Sequence, residues 1–428
     1  MTSETTGSNR LPLDGVRVLD LGMFWAGPYA GKFLADAGAE VIKIESCSHP
    51  DNLRVLARGL YPAGVAGEHP WNRSGMINER NRNKRGVTIE MSTEEGRTLF
   101  KRLVAISDVI IENFSNRVMK NWGLDYENLS LINPRIILAS IYSQGGQGPE
   151  SSYVSFGGTL EQLAGLGYVT GYPDEIPGVS SVQLPDPLGG TMAAGLIIAA
   201  LRLRKLTGKG THIDLSQREN AVSIIGELLV DYSMNGRIPE RNGNRDNIRA
   251  PQGCYECQGE DEWITVSVGD DVQFEALCTA MDQPQLTRDP RFQNVLARHQ
   301  NHDALDSIIT QWSSNRSKID AMNELQRHGV PAGAVYKAND LYEDPHLRAR
   351  QFWEQVEDVE AGQHLYPGRA YRMSKSNIST RSPSPTLGQD NAYVLGELVG
   401  LSNEDLANLA TNGVIGTEPT QAARRGSL

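Results

Sequence analysis

A chain of 428 residues exceeds what one hydrophobic core usually supports, so more than one domain is expected. Apolar residues at 39 % and charged residues at 22 % exclude collagen-like, disordered and coiled-coil classes. A net charge of -11 with a pI near 5.3 argues against a general nucleic-acid or membrane-surface binder, and it obliges any anionic ligand to find a local basic pocket. The four cysteines, Cys47, Cys254, Cys257 and Cys278, are too few for a secreted disulfide scaffold. The polar start MTSETTGSNR lacks the apolar stretch of a signal peptide, so a cytoplasmic location is expected.

In chain order, a β-rich run at 16–21 precedes a Gly-Pro turn at 27–28, a helical segment carrying Tyr29, Phe33 and Leu34, and a strand at 41–44. This is the strand–helix–strand unit of a parallel sheet. It recurs with a strand at 87–91, a helix opened by a Ser92/Glu95 capping box with Leu99, Phe100, Leu103 and Val104 on one face, and a strand at 109–111. A helix near 117–122, a strand at 136–138, a long helix from 188 to about 206 and a strand at 213–215 complete a doubly wound α/β domain. The apolar run 188–201 is shorter than the roughly 20 residues that span a bilayer and is expected to be a buried core helix.

Beyond residue 222 the pattern changes to short strands, as at 263–268, mixed with amphipathic helices at 302–313 and 318–328, which predicts a smaller α+β domain over 223–335. The segment 336–428 contains a Pro/Ser-rich stretch at 379–385, expected to be a surface linker, and a helix at 403–409.

GGQGP at 145–149 does not open a helix after a strand, so it is a turn rather than a dinucleotide fingerprint. Cys254 and Cys257 have no second ligand pair for zinc, and His299 and His302 are expected at the surface or in caps. No hydrolase elbow, zincin helix or P-loop is present. Asp186, in LPDPLGGT at 184–191, stands where a helix N-cap is expected, with Pro187 at the first helical position. The cluster NRNKR at 81–85, with Arg54 and Lys43, is either a solvated face or a phosphate-binding patch near the strand ends where open α/β sheets bind ligands.

Together these stretches resemble the class III CoA-transferases, the family of formyl-CoA and carnitine CoA-transferases with α-methylacyl-CoA racemase as a relative. The resemblance is carried by LDGVRVLDL at 13–21, AGP at 26–28, GAEVIKIE at 38–45, NRNKR at 81–85, ENF at 112–114, NPR at 133–135 and TGKG at 207–210. It continues through GVPAG at 329–333, DPHLR at 344–348 and LG at 387–388.

The resemblance implies a Rossmann-like large domain at 1–222, the small domain at 223–335, a segment from 336 returning to the large domain, and two subunits interlocked as a homodimer. It also implies an acyl-CoA donor, with succinyl-CoA as the family-level expectation, a carboxylic acid acceptor, no tightly bound cofactor and no metal. Asp186 takes the place of the family nucleophile. CoA contacts are expected at Ala26, Gly27, Arg54, Asn83, Lys84, Arg85, Asn113, Phe114, Asn121 and Trp122, with Trp122 flat on adenine.

Relatives often carry basic residues where this chain has Ser46 and Asn121, and the glycine flap of formyl-CoA transferase has no counterpart in 242–253. The racemase histidine–aspartate step falls on Phe156 and Gly157, which removes the base that α-proton transfer needs. The expected chemistry is attack of Asp186 on the thioester, an anhydride, and an aspartyl-CoA thioester, with the backbone N–H groups of Gly189 and Gly190 as oxyanion donors. The alternatives are a racemase or isomerase of the same fold, or a non-catalytic CoA-binding subunit of a mixed complex.

Overall fold

The computed structural model describes residues 10–56 and 60–425. Six strands form one sheet: β1 (Arg17–Asp20), β2 (Glu40–Glu45), β3 (Arg85–Thr88), β4 (Val109–Glu112), β5 (Ile137–Tyr142) and β6 (Thr211–Ser216). All pair in parallel, in the order β3-β2-β1-β4-β5-β6. This is the doubly wound Rossmann order, in which the chain reverses direction of winding between β1 and β4.

The inner strands β1, β2, β4 and β5 are buried along almost their whole length because both faces of the sheet are covered there, whereas the edge strand β6 alternates between partly buried and exposed positions. On one face Leu19, Ile42, Ile110 and Leu138 pack with Leu99, Phe100 and Leu103. On the other, Val18, Val41, Val109 and Ile137 pack with Ala30, Leu34, Ala193 and Ile197. Helix α1 (Ala26–Asp36) follows β1, and α2 (Glu94–Ala105) follows β3. The cap of α2 is Thr93, whose hydroxyl accepts from the Gly96 N–H, and not Ser92. Ser92 is instead taken by the Glu90 carboxylate, which accepts from both its N–H and its hydroxyl.

The long helix α3 runs Pro185–Thr207 and ends at Gly208, whose φ of 75° supplies the left-handed C-terminal turn. It was expected to be buried, but only one face is. Gly189, Gly190, Ala193, Ala194 and Ile197 are buried, whereas Met192, Leu196, Leu203 and Leu206 are exposed. Helix α4 (Gln217–Val222) starts directly after β6, capped by the Ser216 hydroxyl.

The chain divides into two compact units. The larger contains the sheet and comprises the segments through Leu166, Val179–Val230 and from Ala349 onward; the smaller comprises Gly167–Gly178 and Asp231–Arg348. The smaller is α+β: β7 (Gln252–Glu256), β8 (Trp263–Ser267) and β9 (Ala332–Ala334) form an antiparallel sheet under the helices Asp271–Ala280, His302–Ser313 and Lys318–Arg327. His302, expected at the surface or in a cap, opens its helix but is buried, with its Nε2 accepting from the Gln252 N–H.

The Pro/Ser-rich stretch is not a free linker. The Ser379 and Ser382 carbonyls accept from Asn83, the Pro385 carbonyl accepts from Arg54, and Ser384 and Leu387 are buried.

Candidate active site

Open α/β sheets bind ligands outside the carboxyl ends of the strands, at the point where the strand order reverses. Here that point lies between β1 and β4, and the two loops leaving those strands are locked together. Asn113 accepts from the Met23 N–H at 2.7 Å and donates to the Met23 carbonyl at 2.9 Å. Gly22 and Gly27 make the turn possible, because a Cβ on either would lie within 2.7 Å of the other's backbone. Between them Phe24 sits at φ 61°, a conformation that costs a non-glycine residue about 1–3 kcal/mol and persists only where surroundings enforce it. Its N–H donates to Asp51.

A buried polar lattice supports this loop from below. Asp20, at the end of β1, accepts from the Gly22 N–H and from Lys84 Nζ at 2.7 Å. Lys43 bonds the Gly22 carbonyl and Asp51, and the Asp51 N–H donates to Glu45. Glu45 is paired with Arg54, which holds its carboxyl down at about 2 against the opposing effect of burial.

These pairings overturn several expectations. Lys84 donates to Asp20, the Pro28 carbonyl and Asn81, and its side chain is fully buried, so it has no donor left for a phosphate. Arg54 is likewise spent on Glu45, Asn72 and the Trp71 and Pro385 carbonyls. Asn83, at φ 62°, bonds Asp36 and the segment 379–382. Arg85 pairs with Asp390 and lies over Tyr393, whose hydroxyl reaches Glu40 at the amino end of β2, away from the carboxyl edge. Asn121 is exposed and lines neither cleft described next. For the four residues of this set other than Asn121, the common reason is a partner distant in sequence.

Two clefts open at the carboxyl edge and share Met23 and Phe114 as a common wall. The first, about 250 Å³, is mostly apolar, lined by Leu21, Ile44, Ile89, Met91 and Trp122 with Glu45, His49 and Asp51 among its polar groups. Trp122 meets Phe114 edge to face at 5.5 Å. The second, about 180 Å³, contains Ala26, Asn113, Tyr142, Phe156, Asp186 and Gln217. Phe156 packs edge-on against Phe24, and no histidine among the described residues lines this cleft.

Asp186 is not the helix cap. The helix starts one residue earlier, at Pro185, with Leu184 as its flanking residue and no side-chain cap. The segment leading into it is held by Glu161, which accepts from the Ser180 and Leu184 N–H groups. The carboxylate of Asp186 is therefore free of capping, and its Oδ1 accepts from Gln217 Nε2 at 2.8 Å. No donor among the described residues bonds Oδ2, and Gly157 leaves it room, since a Cβ there would stand 3.0 Å away. Burial raises the Asp186 pKa; the Gln217 bond and the charge of Arg80 oppose the shift, and Glu161 adds to it. Arg80 lies with its guanidinium 4.1 Å from the centre of the Trp25 ring.

Gly189 and Gly190 lie a full turn inside α3, where their N–H groups belong to the helical ladder and not to a ligand. Their role is close approach. A Cβ on Gly190 would be 2.6 Å from the Ala26 carbonyl, and one on Gly189 would be 3.0 Å from Gln217 Cγ. Gln217 itself escaped sequence reasoning, as did Asp20, Asp51 and Tyr142; the available signal was their place at or just past the carboxyl ends of strands or in the loops beside them.

Residues 13–391 match the family described as CoA-transferase family III. The chain is 35 % identical over 404 residues to a succinyl-CoA–D-citramalate CoA-transferase from Chloroflexus aurantiacus, covering 94 % of this chain and 98 % of that protein. It is 32 % identical to a succinate–glutarate CoA-transferase from Agrobacterium fabrum, over 90 % of this chain and 96 % of the relative. The structure of a CAIB/BAIF family protein from Brucella suis superposes with a TM-score of 0.82 at 33 % identity, covering 91 % of this chain and 100 % of the other. The reversal point between β1 and β4, the two clefts beside it and this end-to-end similarity lead to one conclusion: the chain belongs to CoA-transferase family III.

Proposed function

We propose that the protein transfers coenzyme A from an acyl-CoA to a free carboxylic acid through Asp186. The observation that carries this reading is a half-buried carboxylate in a cleft at the carboxyl edge, with one oxygen held by an amide and the other without a donor among the described residues. Oδ2 attacks the donor thioester carbonyl, the C–S bond breaks, and a mixed anhydride forms as CoA thiolate leaves. The thiolate then attacks the aspartyl carbonyl and releases the donor acid, leaving an aspartyl-CoA thioester. The acceptor carboxylate attacks that thioester to form a second anhydride and free the thiolate. Attack of the thiolate on the acceptor acyl carbon completes transfer and regenerates Asp186.

Coenzyme A would lie across the carboxyl edge, with its adenine in the apolar cleft beside Trp122 and Phe114 and its thioester reaching the cleft of Asp186. No tightly bound cofactor enters the proposed sequence. The relatives named above act, by their names, on succinyl-CoA, citramalate and glutarate, which supports succinyl-CoA as donor and a small dicarboxylic acid as acceptor. The exposed apolar face of α3, with Met192, Leu196, Leu203 and Leu206, supports a homodimer in which that face is covered.

The test is the initial rate of CoA transfer from succinyl-CoA to a panel of dicarboxylic acids by wild type and Asp186→Asn. The amide is a poor nucleophile, so transfer should fall by about three orders of magnitude or more while the fold is kept. Near-normal transfer by the asparagine variant would remove Asp186 from the reaction.

A further inference from the structure

We infer that Gln217 is the positioning residue of the reaction: it holds one oxygen of Asp186 and leaves the other free to face the thioester. The inference rests on Asp186 being the attacking group. Gln217 is buried at the first position of α4, immediately beyond the carboxyl end of β6, and its Nε2 has two acceptors within reach. One is Asp186 Oδ1 at 2.8 Å; the other is the Pro185 carbonyl at 3.4 Å. A backbone carbonyl can only accept, as can an ionised carboxylate, so the amide nitrogen and not the amide oxygen must face α3. Orientation of the side chain is thereby fixed by the backbone as well as by the reacting group.

The surroundings are shaped for this contact. Gly189, one turn along α3, leaves the space that Gln217 Cγ occupies, with only 3.0 Å available to a Cβ. On the opposite side of the carboxylate, Gly157 keeps Oδ2 unobstructed. The two oxygens of Asp186 are thus inequivalent: Oδ1 is tied down and Oδ2 is not. A symmetrical carboxylate would divide its hydrogen bonds and its nucleophilicity between both oxygens, and a carboxylate capped at both would be blunted.

A hydrogen bond to a charged group contributes about 1.5–3 kcal/mol, which corresponds to roughly 10- to 100-fold in rate or about one to two pH units in the acid limb of a profile. The sign follows from which form Gln217 favours. It donates to the ionised carboxylate, so its loss raises the Asp186 pKa, and activity that needs the ionised form is lost at higher pH than in wild type.

The experiment compares wild type with Gln217→Leu, Gln217→Glu and Gly189→Ala. It measures kcat and KM for succinyl-CoA across about pH 5 to 9, thermal melting, and the site of hydroxamate formation when hydroxylamine is added with succinyl-CoA. The leucine variant should lose about 10- to 100-fold in kcat at neutral pH with KM within about twofold, and recover in part as pH rises. Its acid limb should move up by about one to two units. Gly189→Ala should move the limb in the same direction by displacing Gln217. The glutamate variant is isosteric and keeps the packing; it should move the limb furthest, because two close carboxylates resist ionising together.

If the leucine variant does not fold, the glutamate and alanine variants decide. Folded variants with the wild-type limb and kcat within about threefold would overturn the assignment of Gln217. A wild-type hydroxamate on a residue other than Asp186 would instead overturn the nucleophile, and the inference with it.

Discussion

Replacing Lys84 with methionine tests whether the basic cluster at 81–85 binds ligand or builds the loop. The Lys84 ammonium has three acceptors, Asp20 Oδ2 at 2.7 Å, the Pro28 carbonyl at 2.7 Å and Asn81 Oδ1 at 2.8 Å, which uses all three of its protons. Burial lowers its pKa to about 8, with Asp20 opposing the shift, so it is still mostly charged at neutral pH. Methionine fills the space but leaves Asp20 as a buried charge with the Gly22 N–H at 2.9 Å as its remaining close donor. Breaking one partner out of a buried pair costs about 3–5 kcal/mol. In a unit of this size each kcal/mol lowers Tm by about 2 °C, so a fall of roughly 6–10 °C is expected in differential scanning calorimetry. Arg85→Ala is the control, since Arg85 is half exposed and its surface pair contributes at most about 1 kcal/mol. A Lys84→Met variant that melts within about 2 °C of wild type but shows a raised, salt-sensitive KM for the donor would refute the structural role and return Lys84 to the phosphates.

Glu112, buried at the end of β4 with Oε2 accepting from the Phe114 N–H, has its pKa raised to about 7 by burial. The folded state therefore keeps this proton after the unfolded chain has lost it near 4.5, so the stability it contributes is full below that value and is lost as pH rises through 7. Glu112→Gln should remove the effect, and urea denaturation should show the variant gaining on wild type by about 3 kcal/mol between pH 5 and pH 8; parallel curves would contradict the assignment. Trp122→Ala should raise the KM of the CoA thioester about tenfold with little change in kcat, because an aromatic–base contact contributes about 1–3 kcal/mol; an unchanged KM would remove the apolar cleft as the adenine site.

The inner strands were legible because β1, β2, β4 and β5 are short runs rich in β-branched and aliphatic residues separated by helical periodicity, a pattern that survives without knowledge of partners; the edge strand β3, Arg-Gly-Val-Thr, carries little of it and lies at 85–88 instead of 87–91. Asp186 stands out as a candidate only through the family resemblance; its local pattern, an acid among prolines before an apolar helix, suggests a cap, and the structure shows the helix beginning before it. The basic cluster misled for a different reason. Charge is visible in a sequence, but the acid that neutralises it is not: Asp20 lies 64 residues from Lys84 and Asp36 lies 46 from Arg82. The glycines of α3 were read as donors, when what matters is the hydrogen they carry in place of a Cβ against Ala26 and Gln217. Gln217, uncharged and outside any motif, offered only its position after a strand.

The central claim is a covalent bond between Asp186 and coenzyme A during turnover. Purified protein incubated with succinyl-CoA, quenched in acid and digested should yield the peptide containing Asp186 carrying coenzyme A in thioester linkage, heavier by coenzyme A less one water. The adduct should vanish on addition of an acceptor acid and never form in Asp186→Asn. A protein that turns over with no such adduct, or with coenzyme A on another residue, would contradict the account.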